Sequence, residues 1–193
     1  MNQINQIPEV GQGRMLSGVM VTDPSTHRDV LGSGTEIFRE DWLVGRSPVQ
    51  WNWVMSGANV LRGVHVHHQH TDHLLLYAGR MVLALVDLRD DSPTVGMPQM
   101  MDLTPDPLQM VCIPPGVAHG FYFLEPSTSI VGVSHYWAVD DELGCRWDDP
   151  ALSLTWKVET PILSSRDREA GSFAAMRDEY RAACGRKSLA GFR

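Results

Sequence analysis

Five of the eight histidines in the 193-residue chain are concentrated in one short stretch, at positions 65, 67, 68, 70 and 73. They follow Arg62 and Gly63 and lead into the apolar run 74–78. Imidazole is the side chain that changes charge near neutral pH, and it is also a frequent ligand of transition metals. The stretch therefore offers proton transfer or metal binding at one place in the fold.

The period of a β-strand predicts which of these side chains act together. Alternate residues of a strand share a face, so we expect His65 and His67 to point to the same side. Arg62 has the wrong parity to join them. Strand glycines are often sites of bulges, and a bulge or kink at Gly63 would turn Arg62 towards the same pocket. We therefore predict that irregularity.

The elements around the histidines are predicted to be strands. Short apolar stretches alternate with turn residues along most of the chain, which is typical of an all-β sandwich or barrel. The stretches that read most clearly as strands are residues 35–39, 49–55, 80–88, 109–113 and 129–137. In the second of these, Gln50 and Asn52 share a face. They are candidate ligand contacts inside a barrel, although an antiparallel strand with one solvated face explains them equally well.

The two ends of the chain have a different pattern. Residues 1–18 are largely polar and contain proline and glycine, which predicts a flexible arm or a strand that swaps onto a neighbour. Near the other end, one helical stripe carries Phe173, Met176, Tyr180 and Ala183. That spacing predicts a short helix docked on the body, followed by a frayed end from Gly185 onwards.

Composition excludes several classes of function. The net charge is -7 and there is no basic cluster, which argues against nucleic-acid binding. No signal peptide is evident and no apolar run is long enough to span a membrane. The three cysteines are widely spaced and odd in number, which argues against a disulfide framework. We expect a cytoplasmic protein with a small-molecule partner.

Two spaced groups of residues resemble the two signature motifs of the cupin superfamily. The first comprises His65, His67, Asp72 and Gly79, and the second comprises Pro114, Gly116 and His119. Asp72 stands where cupins usually have glutamate. In a metal-binding cupin the ligands of a divalent ion would be His65, His67, Asp72 and His119, a set suited to iron, manganese, nickel or zinc. A cupin without a metal is the alternative.

A closer resemblance covers the chain from about residue 35 to residue 167. Five ordered motifs carry it, at residues 61–65, 86–94, 113–121, 146–152 and 161–167. Together they are similar to the dTDP-4-dehydrorhamnose 3,5-epimerase family, of which the chain would be a divergent member. The resemblance implies a homodimeric jelly-roll cupin without an obligatory cofactor, acting on a dTDP-linked 4-keto-6-deoxy sugar. We expect a single domain over residues 1–193, with an arm (1–18), a jelly roll (19–164) and a C-terminal helix and tail (165–193).

The resemblance also implies roles for individual residues. A carbon next to a ketone loses its proton when a base lies on it and the enolate oxygen is stabilised. In the family the base is the histidine of the Arg-Gly-x-His motif, and its partner is the aspartate after the Leu-Ser motif. Those residues are His65 and Asp167 here. Arg62 and His119 match family residues that lie near the sugar and its ketone.

Three departures from the family pattern concern the chemistry. Trp137 aligns with the family's acid, a tyrosine, and an indole cannot donate the proton in acid catalysis. Tyr136 is adjacent but is expected to face the other way, and both residues are candidate substrate contacts. Asp72 replaces a lysine near the ketone. Arg28 is a displaced candidate for the phosphate-binding arginine that reaches a neighbouring subunit.

Three functions follow from these residues. The first is a nucleotide-sugar epimerase or isomerase, for which inversion at one centre, or proton return from the same face, is favoured over two inversions. The second is a metal-dependent cupin with an unknown small-molecule substrate. The third is a sugar-binding cupin that has lost catalysis. In each case His68, His70 and His73 are expected to lie in a solvated turn or in a second shell.

Overall fold

The computed structural model describes residues 15–42 and 46–190 of the chain. Within these ranges the chain forms twelve strands and two α-helices. The strands are β1 (Met20–Thr22), β2 (Thr26–Asp29), β3 (Gly32–Thr35), β4 (Gln50–Ser56), β5 (Val60–His67), β6 (Asp72–Ala78), β7 (Met81–Asp87), β8 (Pro98–Leu103), β9 (Met110–Ile113), β10 (Val117–Phe123), β11 (Ser127–Val133) and β12 (Glu142–Gly144). The helices are α1 (Ser165–Arg168) and α2 (Phe173–Ala190), and 3-10 turns cover Glu40–Trp42, Val139–Asp141 and Pro150–Leu152.

Ten of the strands form two antiparallel five-stranded sheets. One sheet has the order β1-β9-β6-β11-β4 and the other has the order β12-β5-β10-β7-β8, while β2 and β3 form a separate hairpin. Apolar side chains from both sheets, among them Leu74 and Leu76 of β6 and Leu83 and Leu85 of β7, form one buried cluster between the layers. The predicted all-β jelly roll with a C-terminal helix is confirmed.

Helix α2 packs on the outside of the second sheet. The predicted stripe of Phe173, Met176, Tyr180 and Ala183 is buried, with exposures of 8%, 1%, 8% and 6%. The first three of these side chains join a cluster with Val64 and Val66, which face outwards from β5. The helix therefore supports β5 from behind, on the face opposite His65 and His67. It continues to Ala190, beyond the frayed end expected from Gly185. Among the described helices, none has the length and hydropathy needed to cross a membrane.

Two predicted strands are shorter than expected. The strand predicted to reach Trp137 ends at Val133, where both neighbours of β11 also stop pairing, because Val133 lies opposite Gln50 on one side and Asp72 on the other. A strand without partners leaves its backbone groups unpaired, so the chain turns away after that point. The strand predicted over residues 35–39 is confined to its first residue, since β3 ends at Thr35.

The N-terminal arm falls mainly outside the described residues, which begin at Met15. The last part of the predicted arm is described, and Leu16 is buried there at 2% exposure. Its side chain belongs to the cluster between the sheets. The chain therefore enters the jelly roll a few residues before β1.

Candidate active site

A cavity of about 550 Å³ lies between the two sheets, a size in the usual range for small-molecule sites. Both sheets contribute side chains that alternate with the outward-facing residues of each strand. The polar residues that line it are Gln50, Asn52, Arg62, His65, His67, His70, Asp72, His119, Ser129, Trp137, Glu142, Ser164, Arg166 and Asp167. The expected ligand-facing role of Gln50 and Asn52 remains a prediction, but both side chains lie where it requires.

The irregularity predicted at Gly63 is present in β5. His65 pairs with His119 of β10, and the next pair in the register joins Arg62 to Phe121. The two pairs are three residues apart on β5 but only two residues apart on β10, so β5 has one extra residue between them. This extra residue changes the face of the sheet to which Arg62 points. Gly63 has a φ of 110°, and a Cβ at this position would lie 2.8 Å from the carbonyl oxygen of His119. Arg62 and His65 consequently both line the cavity.

His65 forms the predicted pair with Asp167. Its Nε2–H donates to Oδ1 of Asp167 at 2.6 Å, and the hydroxyl of Ser164 donates to Oδ2 at 2.7 Å. Burial alone raises the pKa of Asp167, but hydrogen bonds and charge from His65, with help from Ser164, bring this pKa below its ordinary value. A charged carboxylate therefore holds one imidazole nitrogen and directs the other, Nδ1, away from it.

Glu142 is a site residue that the sequence analysis did not identify. Its Oε1 lies 3.2 Å from Nδ1 of His65, so the imidazole sits between two carboxylates. Oε2 accepts from the indole N–H of Trp137 at 2.7 Å and pairs with Arg166 at 2.8 Å. Burial raises the pKa of Glu142, but the charge of His65 and these donors lower it below its ordinary value. The only sequence signal was the acidic run 140–142 shortly before the Arg-Trp-Asp-Asp motif.

A second polar cluster lies beside this pair. His67 Nε2 and His119 Nε2 lie 3.7 Å and 3.5 Å from Oδ2 of Asp72. Of the four ligands expected in a metal-binding cupin, three are thus brought together. His65 is absent from the groups of described residues whose ligand atoms converge, because its nitrogens face Asp167 and Glu142 instead.

His70 does not lie in a solvated turn, and its contacts agree with the other expectation from sequence, that it supports neighbouring residues of the site. Its side chain is 1% exposed and bridges two carboxylates, with Nδ1 at 2.7 Å from Asp141 and Nε2 at 3.4 Å from Asp72. Asp141, at the end of a 3-10 turn, also accepts from the backbone N–H of His68 at 3.0 Å, so this turn packs against the loop after β5 and helps to bury His70. His73 is buried too, with its Nδ1 at 3.1 Å from the sulfur of Cys112.

Burial and charge give the members of this cluster different protonation states. Burial lowers the pKa of His67 to about 4 and also lowers the pKa of His119. Burial opposes the charged form of His70 as well, but its hydrogen bonds to Asp141 and Asp72 raise its pKa to about 9. Burial raises the pKa of Asp72, whereas the hydrogen bond from His70 and the nearby imidazoles lower it to about 2. At neutral pH a charged pair therefore lies next to two neutral imidazoles.

Two predicted substrate contacts lie outside the cavity. Tyr136 is 75% exposed and does not line it, because the chain has left β11 before this residue. Arg28 lies on the exposed hairpin strand β2, away from the cavity of its own chain. Trp137 does line the cavity, and its backbone N–H donates to the side chain of Gln50 at 3.1 Å.

Comparison with known proteins gives a consistent result. The family model described as dTDP-4-dehydrorhamnose 3,5-epimerase matches residues 14–175. A dTDP-4-dehydrorhamnose 3,5-epimerase from Neisseria gonorrhoeae is 32% identical over 160 residues, which are 79% of this chain and 49% of that protein. The chain therefore spans about half the length of this relative.

Solved structures agree with this match. The Bacillus anthracis dTDP-4-dehydrorhamnose 3,5-epimerase, with TDP and pyrophosphate bound, is 32% identical and superimposes with a TM-score of 0.75 over 80% of this chain and 94% of that one. A Legionella pneumophila 3,5-epimerase in complex with dTDP-4-keto-L-rhamnose is 26% identical, with a TM-score of 0.79 over 86% and 94% of the two chains. The present chain belongs to the dTDP-4-dehydrorhamnose 3,5-epimerase family.

Proposed function

We propose that the protein is an isomerase that removes a proton from the carbon next to the ketone of a dTDP-linked 4-keto-6-deoxy sugar. His65 is the base and Asp167 is its partner. The observation that carries this proposal is the 2.6 Å hydrogen bond between them at the wall of a cavity large enough for a small molecule. The 4-keto sugar bound to the Legionella relative supports this choice of substrate class.

The enolate formed by proton removal needs a positive charge or a donor near its oxygen. Arg62 supplies a guanidinium on the same wall as His65 and is held by a hydrogen bond from its Nε–H to the Ser56 hydroxyl at 3.1 Å. The Nδ1–H of His119 donates to the carbonyl of Val117. The neutral ring therefore presents a lone pair to the cavity, so Arg62 is the better candidate for stabilising the enolate.

We expect reaction at a single carbon because no tyrosine lines the cavity to act as the acid. All four tyrosines of the chain lie in the described residues, and none of them lines the cavity. Each inversion needs an acid on the face opposite the base, and no phenol lines the cavity to serve as the acid that the family uses. We therefore expect exchange at one carbon, with or without inversion.

Solvent exchange tests this function directly. The protein is incubated in D2O with a panel of 4-keto-6-deoxy sugars linked to dTDP or to other nucleoside diphosphates, and deuterium uptake is followed by mass spectrometry. The expected result is uptake of one deuterium by a dTDP-linked sugar. Uptake of two would contradict the single-centre proposal, and uptake by no sugar in the panel would favour a binding protein without catalysis.

We also propose that the protein is a homodimer. Trp53 of β4 and Tyr77 of β6 lie on the outer face of the first sheet, with ring centroids 5.6 Å apart and exposures of 61% and 59%. Met55 and Trp51 extend this apolar surface. Multi-angle light scattering is expected to give twice the chain mass for the native protein and the chain mass for Trp53→Asp, and a native monomer would refute the dimer.

The proposed compartment is the cytoplasm. The three cysteines are free, and Cys112 and Cys145 are buried. Burial raises the pKa of both thiols, to about 11 and about 12, so they remain protonated and unreactive. Free, inert thiols support a reducing environment.

A further inference from the structure

The second cluster has no role in the proposed proton transfer, although it lies in the same cavity. His67 Nε2 and His119 Nε2 are 3.7 Å and 3.5 Å from Asp72 Oδ2, which is longer than a hydrogen bond. Ligand atoms that share a tetrahedral ion at ~2.1 Å lie ~3.4 Å apart. The ligand atoms of all three residues lie within 4.8 Å of one another. Their spacing fits a shared ion better than direct contact.

Each imidazole is oriented by a hydrogen bond on its far nitrogen. The Nδ1–H of His67 donates to the backbone carbonyl of Asp141 at 3.3 Å, and the Nδ1–H of His119 donates to the carbonyl of Val117 at 3.2 Å. A carbonyl only accepts, so both rings must carry their proton on Nδ1 and a lone pair on Nε2. Metal-bound histidines are typically fixed in this way.

The carboxylate is oriented as well. Oδ1 of Asp72 lies 3.4 Å from His70 Nε2, while the Nδ1–H of His70 donates to Asp141 at 2.7 Å. Oδ2 is left facing the two lone pairs. All three residues are at most 7% exposed, yet each lines the cavity.

From this arrangement we infer that His67, Asp72 and His119 bind one divalent transition-metal ion, with Asp141, Val117 and His70 as their supporting partners. Two imidazoles and one carboxylate suit zinc or iron(II), and three protein ligands leave coordination positions for water or a ligand oxygen. The site differs from the four-ligand set predicted from sequence, because His65 remains with Asp167 and Glu142.

Binding of the ion does not depend on the proposed isomerase activity. A role of the ion in catalysis rests on that proposed function. Among the described residues that line the cavity, the arginines are Arg62 and Arg166, and Arg166 is paired with Glu142. A divalent ion on Asp72 would add positive charge to the cavity. Of the two arginines that line it, Arg62 has no ion pair with a carboxylate of the described residues. The ion would supply Lewis-acid stabilisation of a ketone oxygen, which is one established use of such ions.

Metal content measures the site without reference to activity. The protein is produced without a histidine tag, stripped with EDTA, loaded with Zn²⁺ or Co²⁺ and desalted, and its metal is quantified by mass spectrometry. The expected result is one equivalent per chain in the wild type and in His27→Ala, which removes an imidazole from the exposed strand β2. The isosteric Asp72→Asn variant and the His119→Gln variant, which removes the imidazole, should each retain at least tenfold less metal.

X-ray absorption on the zinc-loaded wild type provides a measurement that does not depend on the folding of a variant. Two imidazoles and further oxygen ligands are expected. A wild type that retains less than a tenth of an equivalent, an Asp72→Asn variant that retains the full amount, or a spectrum without two imidazoles would each overturn the site. Deuterium exchange by the stripped protein tests the isomerase separately, so failure of one proposal is distinguishable from failure of the other.

Discussion

Replacement of Asp167 by asparagine tests the pairing on which the proposed mechanism depends. The carboxylate accepts from His65 Nε2–H at 2.6 Å and is 5% exposed, and its other oxygen is held by Ser164. Asparagine has nearly the same shape but no charge. The change therefore removes the electrostatic support for a protonated His65 and leaves the cavity volume almost unaltered.

The size of the effect follows from the strength of this contact. A hydrogen bond to a charged group contributes about 1.5–3 kcal/mol, and about 1.4 kcal/mol corresponds to a tenfold change in rate. Asp167→Asn is therefore expected to lower kcat for deuterium exchange by about 10- to 150-fold. Because the residue acts through His65, KM should change by less than about threefold.

Glu142 provides an internal comparison, because it contacts the other nitrogen of the same ring at 3.2 Å. Glu142→Gln and Asp167→Asn are expected to combine non-additively, since two groups that act on one imidazole are coupled. The control is Asp102→Asn, which removes an exposed carboxylate paired with Arg80, neither of which lines the cavity.

Initial rates of deuterium uptake, with circular dichroism to verify folding, give the result. A kcat for Asp167→Asn within twofold of the wild type would refute the role of the pair. An equal loss in Asp102→Asn would show that the effect is not specific to this site.

Three other predictions concern stability and the rim of the cavity. Burial raises the pKa of Asp87, but hydrogen-bond donors led by Arg89 lower this pKa to about 2. The ionised Asp87 should therefore stabilise the folded protein fully above pH ~5, and this contribution should decline as the pH falls towards 2. Asp87→Asn should therefore cost about 2 kcal/mol in urea unfolding at pH 7 and clearly less at pH 3, and an equal cost at both would contradict this. Met176→Ala should lower the free energy of unfolding by about 2–5 kcal/mol, because Met176 is buried under α2. The control Met97→Ala, at a 45% exposed site, should lower it by less than about 1 kcal/mol. Equal losses in the two variants would show that α2 is not docked through Met176. Trp137→Phe removes a donor to Glu142 and should lower kcat about two- to fivefold, as measured by deuterium uptake; no change would mean that the indole does not support this carboxylate.

Local patterns in the sequence predicted strands that correspond to β4, β7, β9 and the first part of β11, and they predicted the shared face of His65 and His67 on β5. The parity of β5 and the glycine before His65 predicted that Arg62 would reach the same cavity, and the register confirms it. The stripe on α2 was predicted in the same way, because burial of one helix face imposes a period on the sequence. The pairing of His65 with Asp167 spans 102 residues, and it was predicted only from resemblance to the family.

The misses share a physical cause. Asp141 comes from a 3-10 turn and Glu142 from a three-residue strand, and both elements are too short to leave a periodic pattern. Asp141 contacts His70 in the loop after β5, and His70 is buried there. The polar neighbours of His70 in the sequence had favoured a solvent-exposed position. Tyr136 was assigned to a strand predicted over residues 129–137, but β11 ends where its partner strands end. Long-range contacts of this kind are not encoded in any local window.

Proton NMR in D2O with the dTDP-linked 4-keto-6-deoxy sugar shows whether His65 is the base. We expect the wild type to remove the signal of one proton next to the ketone. We expect His65→Asn, which keeps a polar side chain but has no base, to leave every sugar signal unchanged over the same time. Loss of the signal at an undiminished rate in His65→Asn would contradict the assignment of His65 as the base.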